Sequence, residues 1–170
     1  MTTKFSDDLA VIVNAPHSNY PPSRRKDGRV RVAADAFEVL TTDLDAADII
    51  VLCRLPSYAN IIELKVASDA LGTTLTADIG IYETTGVVAD VDAFGTAVVF
   101  SAATPLTDYR FEAAGAAGTP SNRDAAGKAI WELLGLTVDP NKQYDIALTV
   151  VTSTTPAAGT IAYDIRYVTD

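Results

Sequence analysis

The sequence predicts an all-β protein: an antiparallel β-sandwich with one short helix and an extended N-terminal arm. Several short segments alternate apolar and polar residues between glycine and proline turns, whereas only one segment has the period of a helix. This combination favours a sandwich over an α/β sheet. A jelly roll is the preferred topology. An immunoglobulin-like sandwich stays open, because periodicity does not reveal strand order.

The length and composition predict one folded domain. The chain has 170 residues, of which 48% are hydrophobic and 21% are charged. A domain of this size buries roughly 70% of the surface of its unfolded chain, which is enough for a core without disulfides or metals. We expect the sandwich over residues 34–170 and the arm over residues 1–33.

Three strands are expected before residue 83. Asp48–Leu55 is an apolar run closed by Pro56, and its β-branched residues predict a strand that is buried on both faces. Asn60–Ser68 and Leu75–Tyr82 alternate apolar and polar residues, as half-exposed strands do. In the first of these two, the residues expected to face the core are Ile62, Leu64 and Val66.

The C-terminal hairpin carries the strongest local signal. Tyr144–Val150 and Ile161–Tyr167 alternate regularly around a turn that contains proline and glycine. We therefore expect these two strands to pair as an antiparallel hairpin. Ala97–Phe100 and Thr107–Glu112 are weaker strand candidates.

One segment has helical spacing. The helix is expected to begin at Asn122 or Asp124 and to end at Gly135. Trp131 is expected to close one end of the core. The residues that recur at the helical period are Ala126, Ala129, Ile130, Leu133 and Leu134.

The arm is predicted from residues 14–31, which contain three prolines and no sustained period. A floppy terminus is the alternative interpretation.

The charge of the chain is unevenly distributed: residues 1–31 carry a net charge of +3, which leaves −12 for the rest of a chain whose total is −9. The acidic body should repel nucleic acid and anionic membranes. An acidic protein surface is therefore the better partner for the basic cluster Arg24–Lys26, and a solvated turn is the other interpretation of that cluster.

Composition argues against an enzyme. Nucleophilic triads and most general-base mechanisms need an imidazole, and the only histidine, His17, lies in the predicted arm. One cysteine, Cys53, gives neither an internal disulfide nor a structural zinc site. The carboxylate pairs Asp43/Asp45 and Asp90/Asp92 are expected to be solvated turn residues. We expect no metal and no cofactor.

No secretory signal or membrane-spanning stretch is expected. The first residues lack a basic patch followed by an apolar run, so synthesis and retention in the cytoplasm are predicted, with release by cell rupture as the route out. No apolar segment has the length that a bilayer requires.

Two segments resemble the capsid decoration proteins, or cement proteins, of tailed bacteriophages. Residues 50–72 read IVLCRLPSYANIIELKVASDALG: a strand ending at proline, a turn, an apolar strand and then Ala-Ser-Asp-x-Leu-Gly. Residues 159–168, GTIAYDIRYV, resemble the closing strand of those proteins. The resemblance extends from about Phe37 to the C-terminus and leaves the arm unmatched.

The resemblance implies a jelly-roll subunit, commonly a homotrimer, that binds the major capsid protein. Such a subunit sits on the outer surface of an icosahedral virion at threefold positions and clamps neighbouring capsid subunits. It would be made in the host cytoplasm. An extended arm could add a strand to a sheet edge of the shell while its basic residues pair with carboxylates. The residues expected in this capsid-binding arm are Leu9, Val11, Val13, Tyr20, Arg24, Arg25, Lys26, Arg29 and Arg31.

A carbohydrate-binding or head-fibre module is the alternative function. A sugar site would need exposed, coplanar aromatic rings. The candidates for such a strip are Tyr58, Tyr82, Tyr109 and Trp131.

Overall fold

Two four-stranded antiparallel sheets pack face to face. The computed structural model describes residues 28–110, 113–114, 119–120 and 127–169. A 3₁₀ turn at Thr41–Asp43 and one short helix, α1 (Ile130–Leu133), accompany the strands. The strands are β1 (Arg29–Val39), β2 (Ile49–Pro56), β3 (Asn60–Ser68), β4 (Thr76–Glu83), β5 (Val88–Val99), β6 (Thr104–Asp108), β7 (Ala113–Ala114), β8 (Thr119–Pro120), β9 (Gln143–Thr152) and β10 (Gly159–Thr169).

The pairing of the eight sandwich strands is nested. The first sheet has the order β1-β10-β3-β6 and the second has the order β2-β9-β4-β5, while β7 and β8 form a small separate ribbon. The first strand thus pairs with the last, β2 with β9, β3 with β6, and β4 with β5. This is one long antiparallel hairpin wound into two sheets, which is jelly-roll topology. The predicted antiparallel sandwich is confirmed, and its strand order is not that of an immunoglobulin domain. The predicted C-terminal hairpin is wrong: both strands form, but β9 pairs with β2 and β4 in one sheet and β10 pairs with β1 and β3 in the other. The turn between them therefore connects the two sheets, which local alternation does not reveal.

The core lies between the sheets and is closed at both ends by loop residues. Alternate side chains of the central strands are fully buried, and each contributes about 1.5–3 kcal/mol relative to exposure. Leu44 and Leu71 cover the core at one end, and Ala59 and Ile130 cover it at the other. The side chains buried to 1% exposure or less on the central strands include Leu64, Val66, Ile79, Ile81, Ile146, Leu148, Ile161 and Ile165.

Two expectations about burial are wrong. β2 is buried on one face only, and Ile49 and Val51 are 43% and 51% exposed, because none of the described residues covers the outer face of this edge strand. In β3, Ile61 rather than Ile62 enters the core. The pairing register of β3 with β10 shifts next to Ile62, which moves this side chain to a half-buried position.

The strand candidates near residue 100 are displaced and extended. β5 covers twelve residues, so the Asp90/Asp92 pair lies in a strand rather than in a turn. β6 begins at Thr104, earlier than expected, and residues 111–112 of the predicted strand lie outside the described residues. The register of β5 against β4 shifts at three places, and these irregularities hide the strand from a period-2 pattern.

The helix is shorter than its spacing predicts. Gly127 has a φ of +76° and Ala129 is extended, so neither residue is helical, and residues 121–126 lie outside the described residues. The Glu132 carboxylate accepts a hydrogen bond from the Ala129 amide at 2.7 Å and so caps the first turn. Gly135, with a φ of +70°, follows the helix as predicted.

The sandwich begins earlier than the arm was expected to end. β1 pairs with β10 from Arg29 opposite Thr169 to Val39 opposite Gly159, so the predicted boundary after residue 33 falls inside β1. Residues 29–32 alternate arginine and valine, which is a strand pattern. Because both valines are exposed, the pattern does not indicate a face that packs on the core. The predicted arm residues that lie outside the described residues are Leu9, Val11, Val13, Tyr20, Arg24, Arg25 and Lys26.

A close backbone crossing over Gly80 generates a stability prediction. A Cβ at this position would lie 2.2 Å from the Val91 carbonyl oxygen and 2.4 Å from that of Asp90. Because both neighbours are backbone, Gly80→Ala should lower the free energy of unfolding by about 3 kcal/mol or more. Gly86→Ala is the matched control: its φ is +84° and its Cβ would meet nothing, so it should cost only about 1 kcal/mol. Urea denaturation measures the free energy of unfolding of both variants. An equal decrease in the two would contradict the close approach of the β5 backbone to Gly80.

Candidate interaction surface

The jelly roll has two ends of different chemistry. The end where β1 begins, called the arm end, is formed by the β2–β3 turn (57–59), the β4–β5 turn (84–87) and the segment 127–142. The opposite end, called the acidic end, is formed by the loops 40–48, 69–75, 100–103 and 153–158. Strand pairing fixes this division, because antiparallel partners bring alternate connections to opposite ends.

The acidic end contains no lysine or arginine in its four loops. Its aspartates hold the loop backbone: the carboxylates of Asp43 and Asp48 accept hydrogen bonds at 2.8 Å from the amides of Leu40 and Asp45. Asp69 accepts one at 3.0 Å from the amide of Thr160. Asp43 is therefore a turn residue, as the sequence predicts.

Basic side chains cluster toward the arm end. Arg54 binds Asp145 through two hydrogen bonds of 2.6 and 2.9 Å, and this contact raises the pKa of Arg54. Lys142 binds Glu83 at 2.6 Å. Lys128 is exposed and has no ion pair within the described ranges. The arm end thus combines fixed ion pairs with the exposed cation of Lys128.

Exposed apolar side chains are found at both ends. Leu40, Ile49, Val99 and Val151, in or next to the loops of the acidic end, are 60%, 43%, 58% and 44% exposed. Tyr58, Val87, Val88, Leu136 and Val138 are 39%, 62%, 50%, 40% and 74% exposed. At the arm end, Tyr58 and Val87 lie in turns, Leu136 and Val138 lie in the segment after helix α1, and Val88 is the first residue of β5. Grouped apolar side chains on a soluble domain indicate a contact surface.

The arm end is held rigid by hydrogen bonds around Ser57. This buried hydroxyl donates to Asp139 Oδ1 at 2.5 Å and accepts from the Lys142 amide at 3.2 Å. The Asn141 amide also donates to Asp139 at 2.8 Å. Helix α1 docks on the same turn, because the amides of α1 donate to the carbonyls of residues 57 and 59. The exposed side chains are therefore displayed on a fixed backbone.

The predicted aromatic strip is not formed. Tyr82 and Tyr109 are buried at 1% and 5% exposure, and the Tyr82 hydroxyl is hydrogen-bonded to Thr149. Tyr58 and Trp131 lie at the arm end, where Trp131 is half-buried and Ile130 takes the core position that was expected for it. Two of the four aromatic rings that were candidates for a sugar site are therefore not exposed.

The described residues offer little reactive chemistry. Burial raises the pKa of the Cys53 thiol to about 12, so the thiol stays protonated at neutral pH and is a poor nucleophile. Burial and the neighbouring Asp92 raise the pKa of Asp90. Within the described ranges, no three histidine, cysteine or acidic side chains cluster as metal ligands do. No helix among those residues is long and apolar enough to cross a membrane.

Two of the predicted arm residues lie within the described part of the chain. Arg29 and Arg31 are on β1, at the arm end of the first sheet, and the Arg31 Nε donates to the Thr169 hydroxyl at 2.9 Å. The exposed apolar cluster of the arm end was missed by sequence reasoning. Its residues follow turns, and only the strand pairing reveals that these turns share one end.

Two solved structures contain chains whose fold is similar to this one. A chain of the cyanophage Pam1 capsid asymmetric unit aligns with a TM-score of 0.54 and 17% identity, covering 100% of both chains. A chain of the capsid of Ralstonia phage GP4 aligns with a TM-score of 0.55 and 24% identity, covering 82% of this chain and 85% of that one. At these identities the likeness establishes a shared fold. No protein-family model and no curated protein matches the chain.

Proposed function

We propose that this chain is a non-enzymatic virion protein that binds the outer surface of an icosahedral phage head and clamps neighbouring major capsid subunits. The observation that carries the proposal is the charge division along the jelly roll: the basic N-terminal segment joins β1 at the arm end, whereas the loops of the acidic end carry aspartates and no lysine or arginine. The likeness of its fold to chains in two phage capsid structures supports the phage setting.

The two ends suggest how the subunit is oriented. Exposed apolar side chains lie at both ends, so the charges decide between them, and the basic residues 24–26 precede β1 at the arm end. The opposite loops carry aspartates without any basic residue, which suits a face that stays in solvent and keeps particles apart. We therefore propose that the arm end faces the shell and that the acidic end points outward.

The N-terminal residues add a second contact. Residues 1–27 join β1 at the arm end, so they would start beside the shell in this orientation. Leu9, Val11 and Val13 would pair at an edge of a capsid sheet, and Tyr20 would pack beside them. The cluster Arg24–Lys26 would meet shell carboxylates.

Arg29 and Arg31 border this contact rather than forming part of a free arm, because β1 holds their backbone in the sheet. The sequence resemblance adds a homotrimer at threefold positions, which would make attachment multivalent.

The exposed valines provide a paired test of the orientation. Val138→Glu and Val87→Glu would each bury a charge in the proposed contact between the arm end and the shell. We expect each variant to bind undecorated heads roughly tenfold more weakly or worse. Val99→Glu changes a valine of similar exposure, 58%, near the acidic end and should bind normally. Co-sedimentation with heads measures all three. Loss of binding in the Val99 variant alone would reverse the orientation.

The basic cluster provides the test of the arm. Replacing Arg24, Arg25 and Lys26 with glutamate should weaken head binding at least tenfold at about 50 mM salt, because three attractive pairs become repulsive. The difference from the unmodified chain should shrink at high salt. Arg24→Lys with Arg25→Lys keeps the charge and is the control. Equal binding by the glutamate variant at all salt concentrations would reject an electrostatic role for the arm.

A further inference from the structure

The jelly roll has four edge strands, and three of them carry features that discourage pairing with another chain. β2 has a register shift and ends in Pro56; β6 has five residues and contains Pro105; β5 shifts register at three places. Bulges, prolines and short length are the usual protections of a sheet edge. β1 has none of them: its register with β10 runs without interruption over eleven residue pairs.

β1 is also exposed on both faces for most of its length. Val30 and Val32 on its outer face are 55% and 59% exposed, and Ala34 and Ala36 continue the same apolar stripe. Its only partner strand within the described residues is β10. A regular, apolar edge of this kind is a template for a further strand.

The charges of β1 restrict which strand can fit. Arg31 and Asp35 lie on the inward side of the strand, on either side of Ala33, and both are exposed. Neither makes an ion pair within the part of the chain that the structure describes. A strand that pairs with β1 and lacks matching charges would leave Arg31 and Asp35 without partners of opposite charge.

β1 is complementary to itself in one antiparallel register. When two copies pair with Ala33 opposite Ala33, Arg31 of each copy faces Asp35 of the other on the inward side. On the outer side, Val30 faces Ala36 and Val32 faces Ala34, so apolar meets apolar. Directly opposed side chains of unlike charge stabilise an antiparallel pair, and this register supplies two such pairs by symmetry.

We propose that β1 pairs with β1 of a second copy of this chain about a twofold axis at Ala33, which joins the first sheets of two subunits into one eight-stranded sheet. The contact is isologous, and it joins two copies whatever further contacts an assembled particle makes. It rests on β1 alone and is independent of head binding.

Cysteine cross-linking tests the register in the full-length chain. In a Cys53→Ser background, Ala33→Cys would place two thiols on the twofold axis with Cα atoms about 4.5–5.5 Å apart, within disulfide range. Ala34→Cys is the control, because its two copies would lie about 8 Å apart, beyond the ~7 Å limit. Under mild oxidation we expect the Ala33 variant to form covalent dimers at least tenfold faster. Equal rates, or no dimer from either variant, would overturn the proposal.

Charge exchange tests the pairing without cysteines. Arg31→Asp and Asp35→Arg should each weaken self-association roughly tenfold or more, since two attractive pairs become repulsive. The double variant should restore it to within about threefold, whereas Lys128→Asp, which is off the strand, should leave it unchanged. Sedimentation equilibrium measures the association, and circular dichroism verifies folding.

Other occupants of this edge give different results. If residues 1–27 of the same chain or a protein of other chemistry cover β1, the chain stays monomeric at about 100 μM and the cysteine variants do not cross-link, which overturns the proposal. A trimer that is insensitive to both charge reversals and yields no Ala33 cross-link overturns it as well.

Discussion

The antiparallel pairing of β1 with β10 determines how the rest of the molecule is arranged. Because the first sandwich strand pairs with the last, every inner strand pair is nested within this one, and the connections alternate between two ends. β1 consequently begins at the same end as the β2–β3 turn, the β4–β5 turn and helix α1. The loops that carry aspartates without basic residues collect at the other end.

This arrangement links the charge of the sequence to a direction in space. The net +3 of residues 1–31 and the −12 of the remainder could have been mixed over the surface of a different fold. In the jelly roll, the basic segment joins β1 at the arm end, and that end is stiffened by the hydrogen bond between Ser57 and Asp139. A rigid end that displays exposed apolar side chains where a basic segment begins is suited to adhesion.

The sequence was sufficient for the fold class because regular alternation marks β3, β4, β9 and β10, the four central strands. The edge strands were harder to predict, since their patterns depend on what covers them. β2 exposes Ile49 and Val51, and β1 has no buried face at its start. β5 is interrupted where its backbone crosses Gly80.

The length of the helix and the composition of the arm end could not be predicted from local sequence patterns. The helical period near Ile130 is real, but tertiary hydrogen bonds to residues 57 and 59 support only four residues of helix. The apolar cluster at the arm end comes from residues as distant in sequence as Tyr58 and Val138. No spacing rule connects them, and their proximity follows from strand pairing.

The claim that the arm end faces the shell is tested most directly by hydrogen exchange of the chain bound to undecorated phage heads. The account predicts slower amide exchange on binding in the arm-end segments 57–59, 84–87 and 135–142, with no change in the acidic-end loops 40–48 and 69–75. Protection of the acidic-end loops with unchanged exchange at the arm end would contradict it.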